Sequence, residues 1–156
     1  MPLMPGQQAP DFTLYDSEKN QVSLSSLNDR NVLLLFFPLA FTSVCTKELC
    51  SVRDNIALYN QVNARVLGIS GDSLYTLAKF KEEQQLNFPL LSDYNHDVSI
   101  AYDCLYKKFS YSMENVSKRA AFIIDRDGVI RYAEVLDKAG ELPDFDLIDQ
   151  ILHNII

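Results

Sequence analysis

The sequence has 156 residues, of which 47% are hydrophobic and 22% are charged, and this composition is typical of a compact globular chain. Chains of this length usually form one domain, so we predict a single domain over residues 1–156. Asp and Glu outnumber Lys and Arg by 21 to 14, which leaves a net charge of −7. A field of this sign repels phosphate backbones and anionic lipid headgroups, so neither a nucleic acid nor a membrane is an expected partner.

The first twenty residues contain neither a basic leader nor a long apolar run, so no secretory signal is predicted. The most apolar stretch, residues 32–41, includes a proline, and it is much shorter than the about 20 apolar residues of a membrane-spanning helix. The three cysteines, Cys45, Cys50 and Cys104, are too few and odd in number for a secreted disulfide framework. We therefore expect a cytoplasmic protein with reduced thiols.

Two short alternating stretches near the N-terminus predict a β-hairpin. Phe12 and Leu14 alternate with polar neighbours, the segment DSEKN supplies turn residues, and Val22 and Leu24 alternate again. Residues 31–37 are then almost uniformly apolar and show no helical period. This pattern predicts a central strand that is covered on both faces and ends at the following proline.

The middle of the chain alternates between predicted helices and buried strands. Residues 44–59 place large apolar side chains at three- and four-residue spacing, which predicts one helix with a buried stripe. Residues 64–70 predict a second buried strand, and residues 88–93 a third. Between these strands, Asp72 or Ser73 is placed to cap a helix whose apolar positions are Leu74, Leu77 and Phe80.

The last third of the chain is predicted to begin with a short helix at residues 98–102 and an irregular loop at 104–118. Residues 120–124 and 129–135 then flank the turn sequence DRDG, which predicts a second hairpin, and a final helix follows Pro143. The order of elements predicts an α/β fold. Its central β-sheet is mixed, helices cover both faces, and a β-hairpin precedes it at the N-terminus.

The segment between the central strand and the first helix holds the residues that carry chemistry. If Thr42 is the N-cap, Cys45 is the third helical residue, where backbone N–H groups lack acceptors and the helix dipole is positive. A thiol in this position ionises more easily, and the thiolate is the nucleophilic form. Cys45 also fits the apolar stripe of the helix, so an inert core cysteine is the alternative interpretation.

The segment PLAFTSVC resembles the Pro-x-x-x-Thr-x-x-Cys signature of the peroxiredoxin family. The resemblance runs through nearly the whole chain, from QQAPDFTLYD through LLLFFPLAFTSVCTKELCSVRD to KRAAFIIDRDGVIRY, in the family's order. It is strongest to the peroxiredoxin Q or bacterioferritin comigratory protein type. The implied fold is thioredoxin-like.

The resemblance implies a role for each of five residues. Cys45 is similar to the peroxidatic cysteine, Thr42 to the hydroxyl that binds peroxide, Pro38 to the shield over the thiolate, and Arg119 to the family's guanidinium. Glu48 resembles the acidic residue that orients this arginine. Each residue also has an ordinary interpretation: a strand-ending proline, a capping threonine, or, for the arginine and the glutamate, a solvated charge.

Cys50 follows Cys45 by five residues, the spacing of peroxiredoxin Q, in which a second cysteine of the same helix resolves the sulfenic acid. Five residues of intact helix separate the two Cα atoms by roughly 8.7 Å, whereas a disulfide tolerates at most about 7 Å. Resolution by Cys50 therefore requires residues 43–53 to unwind. Alternatively, Cys50 is an ordinary helical cysteine, and Cys104 or an external thiol resolves Cys45.

The resemblance implies a thiol-dependent peroxidase that reduces hydrogen peroxide and organic hydroperoxides through a sulfenic acid on Cys45. Its implied reductant is a thioredoxin-like protein, and no metal, haem, flavin or nucleotide cofactor is expected. The protein is expected to be a monomer or a homodimer, with Phe41 and Tyr111 as candidate contacts.

Other functions are compatible with a thioredoxin-like fold. A thiol–disulfide oxidoreductase relies on Cys-x-x-Cys, which the spacing of Cys45 and Cys50 does not match, and a non-catalytic redox sensor would keep only the fold. A cysteine protease is disfavoured because neither His96 nor His153 lies near the candidate nucleophile in the sequence.

Overall fold

The structure, a computed structural model, describes residues 2–156. Its strands are β1 (Thr13–Asp16), β2 (Gln21–Ser23), β3 (Asn31–Phe36), β4 (Ala64–Ser70), β5 (Leu90–Ser92), β6 (Arg119–Ile124) and β7 (Ile130–Leu136). Its helices are α1 (Ser43–Asp54), α2 (Ile56–Gln61), α3 (Leu74–Gln84), α4 (Asp97–Ala101) and α5 (Phe145–Asn154). No helix within the described residues is long and apolar enough to cross a lipid bilayer.

The strands form one 7-stranded sheet in the order β2-β1-β5-β4-β3-β6-β7. The pairs β3–β4 and β4–β5 are parallel, and the remaining neighbours are antiparallel. This confirms the predicted mixed sheet and the predicted N-terminal hairpin, which is β1–β2. The central strand β3 is buried along its whole length, because it has a neighbour on each edge and packed side chains on each face.

Successive side chains of β3 point to opposite faces of the sheet and enter two separate cores. One core, here called the α1 face, contains Leu33 and Leu35 together with apolar residues of α1, α3 and α5. The other, here called the α4 face, contains Val32 and Leu34 together with Val98 of α4. The prediction of helices on both faces is thereby confirmed.

The single helix predicted at residues 44–59 is wrong, because the structure divides it into α1 and α2 at Asn55. Asn55 has φ −111° and ψ 15°, outside the helical region, and its side-chain Nδ2 donates a hydrogen bond to the Ser51 carbonyl at 2.9 Å. Asparagine is able to end a helix in this way because its amide competes with the backbone for hydrogen bonds.

Two smaller predictions are refined by the structure. Of the two candidate caps for α3, Ser73 occupies the N-cap position, and its Oγ accepts a hydrogen bond from the Thr76 backbone N–H at 3.1 Å. The strand predicted at residues 88–93 is shortened to Leu90–Ser92. Pro89, immediately before it, has no N–H to donate to a neighbouring strand.

The C-terminal hairpin and the long loop before it follow the predictions. Asp125 Oδ1 accepts hydrogen bonds from the backbone N–H groups of Asp127 and Val129, and Gly128 has φ +80°, where a side chain would be strained. The loop at residues 104–118 contains only isolated bridges and a 3-10 turn at Ser110–Ser112.

Candidate active site

The loop between β3 and α1 lies at the carboxyl end of a central strand, a common place for active sites in α/β sheets. The Ala40 backbone N–H donates to Asp72 Oδ2 at 2.8 Å, and Ser70 Oγ donates to the same oxygen at 2.7 Å. Asp72 therefore anchors this loop to the end of β4 instead of capping α3. The sequence indicates the carboxylate but not this partner, which is 32 residues away.

The start of α1 places Cys45 as predicted. Thr42 occupies the N-cap position, so Cys45 is the third helical residue. The Thr42 side chain does not cap the helix, because its hydroxyl donates to the Leu39 carbonyl at 2.7 Å. With its proton directed there, the Thr42 oxygen retains lone pairs that can accept a hydrogen bond from a bound molecule.

Arg119 contacts the sulfur of Cys45 from the first position of β6. Its Nη2 donates to Cys45 Sγ at 3.3 Å, and both side chains are only 1% exposed. The antiparallel pairing of β6 with β3 sets Ala120 opposite Phe36, so the strand that precedes α1 lies beside the strand that carries Arg119. A guanidinium in this position stabilises negative charge on the sulfur. The interpretation of Arg119 as a solvated strand-end charge is wrong.

Glu48 lies one helical turn after Cys45 and is fully buried beside the same guanidinium. Arg119 Nη1 donates to Glu48 Oε1 at 2.7 Å. Burial raises the pKa of Glu48 to about 7, against the opposing effect of the Arg119 charge and hydrogen bond. Glu48 Oε2 and Arg119 Nε have no hydrogen-bond partner within residues 2–156. Glu48 is therefore not a surface charge, the alternative that the sequence left open.

A third acceptor fixes the guanidinium. Arg119 Nη2 also donates to the carbonyl oxygen of Ala139, at 2.9 Å, in the loop between β7 and α5. Arg119 thus joins α1, β6 and this later loop. Sequence reasoning missed Ala139 because a backbone carbonyl leaves no signature in the residue type.

These groups surround one small cavity of about 170 Å³. Four of the residues predicted from the sequence line it, namely Pro38, Thr42, Cys45 and Arg119. Glu48 lies behind them and reaches the cavity only through Arg119. The remaining lining residues are Leu39, Ser43, Val44, Phe109, Ala139 and Gly140. The functional groups around the cavity include the sulfur of Cys45, the guanidinium of Arg119 and the hydroxyl of Thr42.

Cys50 does not line this cavity. It is half-buried on the same unbroken helix as Cys45, and its thiol donates to Gln84 Oε1 at 3.5 Å. Five helical residues separate the two Cα atoms by roughly 8.7 Å, which is too far for a disulfide while α1 is folded. The following turn is tied to α3 as well, since Arg53 Nη1 donates to the Gln84 carbonyl at 2.6 Å.

Cys104 lies on the α4 face, so the sheet stands between it and Cys45 on the α1 face. Its side chain is fully buried, 3.8 Å from Ser117 Oγ, and burial raises the pKa of its thiol to about 12. The cavity lining within the described residues includes neither His96 nor His153. No group of three or more His, Cys, Asp or Glu side chains within residues 2–156 is arranged to hold a metal ion.

Comparison with known proteins identifies the family of the chain. Residues 5–133 match the model of the AhpC/TSA family. A chain of Mycobacterium tuberculosis named as a peroxiredoxin is 40% identical over 139 residues, covering 88% of each chain. The peroxiredoxin Bcp of Escherichia coli is 38% identical over 132 residues, covering 84% of this chain and 85% of its own.

Solved structures give the same answer for the fold. The crystal structure of the peroxidoxin BcpB of Mycobacterium tuberculosis superposes with a TM-score of 0.86 at 30% identity and covers 97% of both chains. The α/β fold is therefore thioredoxin-like, as the resemblance implied. The chain belongs to the AhpC/TSA family, as a peroxiredoxin of the Bcp type and hence a thiol peroxidase.

Proposed function

We propose that Cys45 is the residue that reduces peroxides, with Thr42, Pro38 and Arg119 forming its substrate site and Glu48 positioning Arg119. The main support for this proposal is the position of Cys45 Sγ. It lies 3.3 Å from a buried guanidinium, in the first turn of a helix, and it lines a small cavity. Thiolates react as nucleophiles, and both a helix N-terminus and a neighbouring cation favour the thiolate.

In the first step, the Cys45 thiolate attacks one oxygen of the peroxide. An S–O bond forms and the O–O bond breaks, so the sulfur loses two electrons and the peroxide gains them. The departing oxygen takes up a proton and leaves as water or an alcohol, and Cys45 becomes a sulfenic acid. Arg119 stabilises the charge that develops on the departing oxygen, and the Thr42 oxygen accepts a hydrogen bond from the peroxide O–H group. Pro38 lines the cavity and limits the access of water to the sulfur.

In the second step, the thiol of Cys50 attacks the sulfenic sulfur of Cys45. A disulfide forms and the hydroxyl leaves as water. This step requires α1 to unwind at its start, because the folded helix holds the two residues too far apart. A dithiol protein of the thioredoxin type then reduces the disulfide and is itself oxidised.

The remaining parts of the proposal concern the setting of the reaction. We place the protein in the cytoplasm, where such reductants keep thiols reduced. We also propose one domain over residues 1–156 that functions as a monomer or homodimer. Phe41 and Tyr111 are candidate dimer contacts because both are exposed, at 48% and 96%.

The test is peroxide consumption by the purified protein with an added dithiol reductant, followed by peptide mapping after one equivalent of peroxide. We expect turnover with hydrogen peroxide and with an organic hydroperoxide, and a Cys45–Cys50 linked peptide. Oxidation confined to another cysteine would overturn the assignment of Cys45. A stable sulfenic acid on Cys45 would overturn only the role of Cys50.

A further inference from the structure

Two walls of the Cys45 cavity come from segments that are far apart in the sequence. Phe109 belongs to the loop between α4 and β6, and Ala139 and Gly140 belong to the loop between β7 and α5. Neither loop has regular secondary structure at these positions, so the backbone ladder of the sheet does not set the distance between the walls. Besides the local backbone hydrogen bonds of each loop, side-chain contacts behind the walls connect the two segments.

Tyr106 makes a contact with each wall although it does not line the cavity. Its ring lies against the ring of Phe109, with centroids 5.1 Å apart and planes inclined by 41°. Its hydroxyl donates a hydrogen bond to the carbonyl oxygen of Asp137 at 2.9 Å, two residues before Ala139. The backbone N–H of Tyr106 donates to the Val116 carbonyl at 2.9 Å, and this hydrogen bond fixes the position of the Tyr106 backbone.

Lys118 binds the same aspartate as Tyr106. Its Nζ donates to Asp137 Oδ1 at 2.9 Å and lies 5.9 Å from the centre of the Tyr106 ring. Asp137 is therefore held through its carbonyl by Tyr106 and through its carboxylate by Lys118. The Lys118–Asp137 ion pair is on the surface, where such pairs contribute little, so Tyr106, which contacts both walls, is the main link between them.

The same connection reaches the reacting sulfur through Arg119. The Ala139 carbonyl accepts from Arg119 Nη2, and that nitrogen also donates to Cys45 Sγ. Burial raises the pKa of Tyr106, so its hydroxyl remains protonated and able to donate.

We propose that Tyr106 is a positioning residue that sets the separation of the two cavity walls and thereby favours small peroxides over bulky organic hydroperoxides. This inference rests on the proposed peroxide reduction at Cys45. A bulky hydroperoxide must fit its carbon skeleton between Phe109 and the Ala139–Gly140 turn, whereas hydrogen peroxide has none. Removing the contacts of Tyr106 with the two walls should therefore change the rate with a bulky hydroperoxide more than the rate with hydrogen peroxide.

The test compares wild type with Tyr106→Phe, which keeps the ring contact and removes the hydroxyl, and with Tyr106→Leu, which removes both. Tyr75→Phe is the matched control, because Tyr75 lies on α3, is 71% exposed and does not line the cavity. Single-turnover oxidation of Cys45 is followed by rapid quenching and intact mass, with hydrogen peroxide and with cumene hydroperoxide. Mass detection suits a chain without tryptophan.

The measured quantity is the ratio of the rate constant for cumene hydroperoxide to that for hydrogen peroxide. We expect Tyr106→Phe to raise this ratio about three- to tenfold, the range for losing one neutral hydrogen bond. Tyr106→Leu should raise the ratio at least as far, and Tyr75→Phe should leave it unchanged. A general loss of folded protein would scale both rate constants equally and would not move the ratio.

A ratio that stays constant or falls in Tyr106→Phe, with an unchanged melting temperature, would overturn the inference. If Tyr106→Leu does not fold, Tyr106→Phe decides alone, since it retains the ring that packs on Phe109. If the wild-type protein oxidises with neither peroxide, the proposed function fails first. If the wild-type protein reacts but the Tyr106 substitutions leave the ratio unchanged, the proposed function stands and the proposed role of Tyr106 is wrong.

Discussion

Cys45 and Cys104 lie on opposite faces of the same sheet, and both are almost completely removed from water, at 1% and 0% exposure. Their neighbours differ. Cys45 lies in the first turn of a twelve-residue helix, lines a cavity and accepts a hydrogen bond from Arg119. Cys104 lies in an apolar core with Ser117 as its polar neighbour, and burial raises the pKa of its thiol to about 12. Burial therefore makes a cysteine inert on one face, while a buried cation and a cavity equip the other cysteine for chemistry.

The largest expected effect comes from removing each thiol separately. Cys45→Ser should abolish peroxide turnover, because a serine hydroxyl is not ionised at neutral pH and cannot form a sulfenic acid. Cys104→Ser should retain turnover within about twofold, because Cys104 is on the other face of the sheet and its thiol stays protonated. Peroxide consumption with an added dithiol reductant measures both. Equal losses of peroxide turnover in the two variants would contradict the different roles assigned to Cys45 and Cys104.

Arg119→Met tests whether the cation is the feature that separates the two cysteines. Losing this preorganised donor should slow the oxidation of Cys45 by hydrogen peroxide about 10²- to 10³-fold. Alkylation of Cys45 at pH 7 should slow as well, because the sulfur loses its charged neighbour. Arg131→Met is the control, since Arg131 is 46% exposed and pairs with Asp125 away from the cavity. Wild-type rates in the Arg119 variant would show that the guanidinium does not act on the sulfur.

Oxidation of Cys45 should increase amide hydrogen exchange in helix α1 but not in the other elements of the α1 face. If Cys45 and Cys50 form a disulfide, amide hydrogen exchange across residues 43–53 should accelerate by at least about tenfold relative to the reduced protein. Helix α5, which packs on the same face without a cysteine, should keep its protection. Exchange is measured by mass spectrometry on peptides from both helices. A linked peptide with unchanged exchange in α1 would contradict the requirement for unwinding.

The smallest expected effect concerns the pH dependence of stability. The pKa of Glu48 is raised from 4.5 to about 7 by burial, so the folded state binds its proton more tightly than the unfolded state does. The stability that the protonated Glu48 contributes is complete below about pH 4.5 and is lost as the pH rises through about 7. Glu48→Gln, which cannot titrate, should remove this dependence, roughly 2 kcal/mol between pH 5 and 8.

Urea unfolding of wild type and Glu48→Gln across that pH range measures the difference. The Glu134→Gln variant serves as the control, because Glu134 lies in β7 and bonds Tyr132 and the Asp144 backbone, away from Cys45. Parallel stability curves for wild type and Glu48→Gln would mean that folding does not raise the pKa of Glu48.

Most of the elements were predictable because their signals are local. Residues 31–37 are apolar without interruption, which a buried strand produces, and the DRDG turn carries its own hydrogen-bond acceptor in Asp125. The break at Asn55 was not predicted, because the apolar spacing continues across it. Helical periodicity reports the buried face of a helix and is insensitive to one residue that leaves the helical region.

The sequence by itself determined that Thr42 precedes a helix and that Cys45 is its third residue, because the start of a helix and its polarity depend on neighbours in the chain, even though the Thr42 hydroxyl bonds Leu39 instead of capping the helix. It also singled out Arg119 and Glu48 through their motifs. Only the tertiary structure brought Arg119, 74 residues away, to 3.3 Å from the sulfur. The contact of Arg119 with the Ala139 carbonyl had no signal at all, since every residue carries that carbonyl and packing alone decides which one is used.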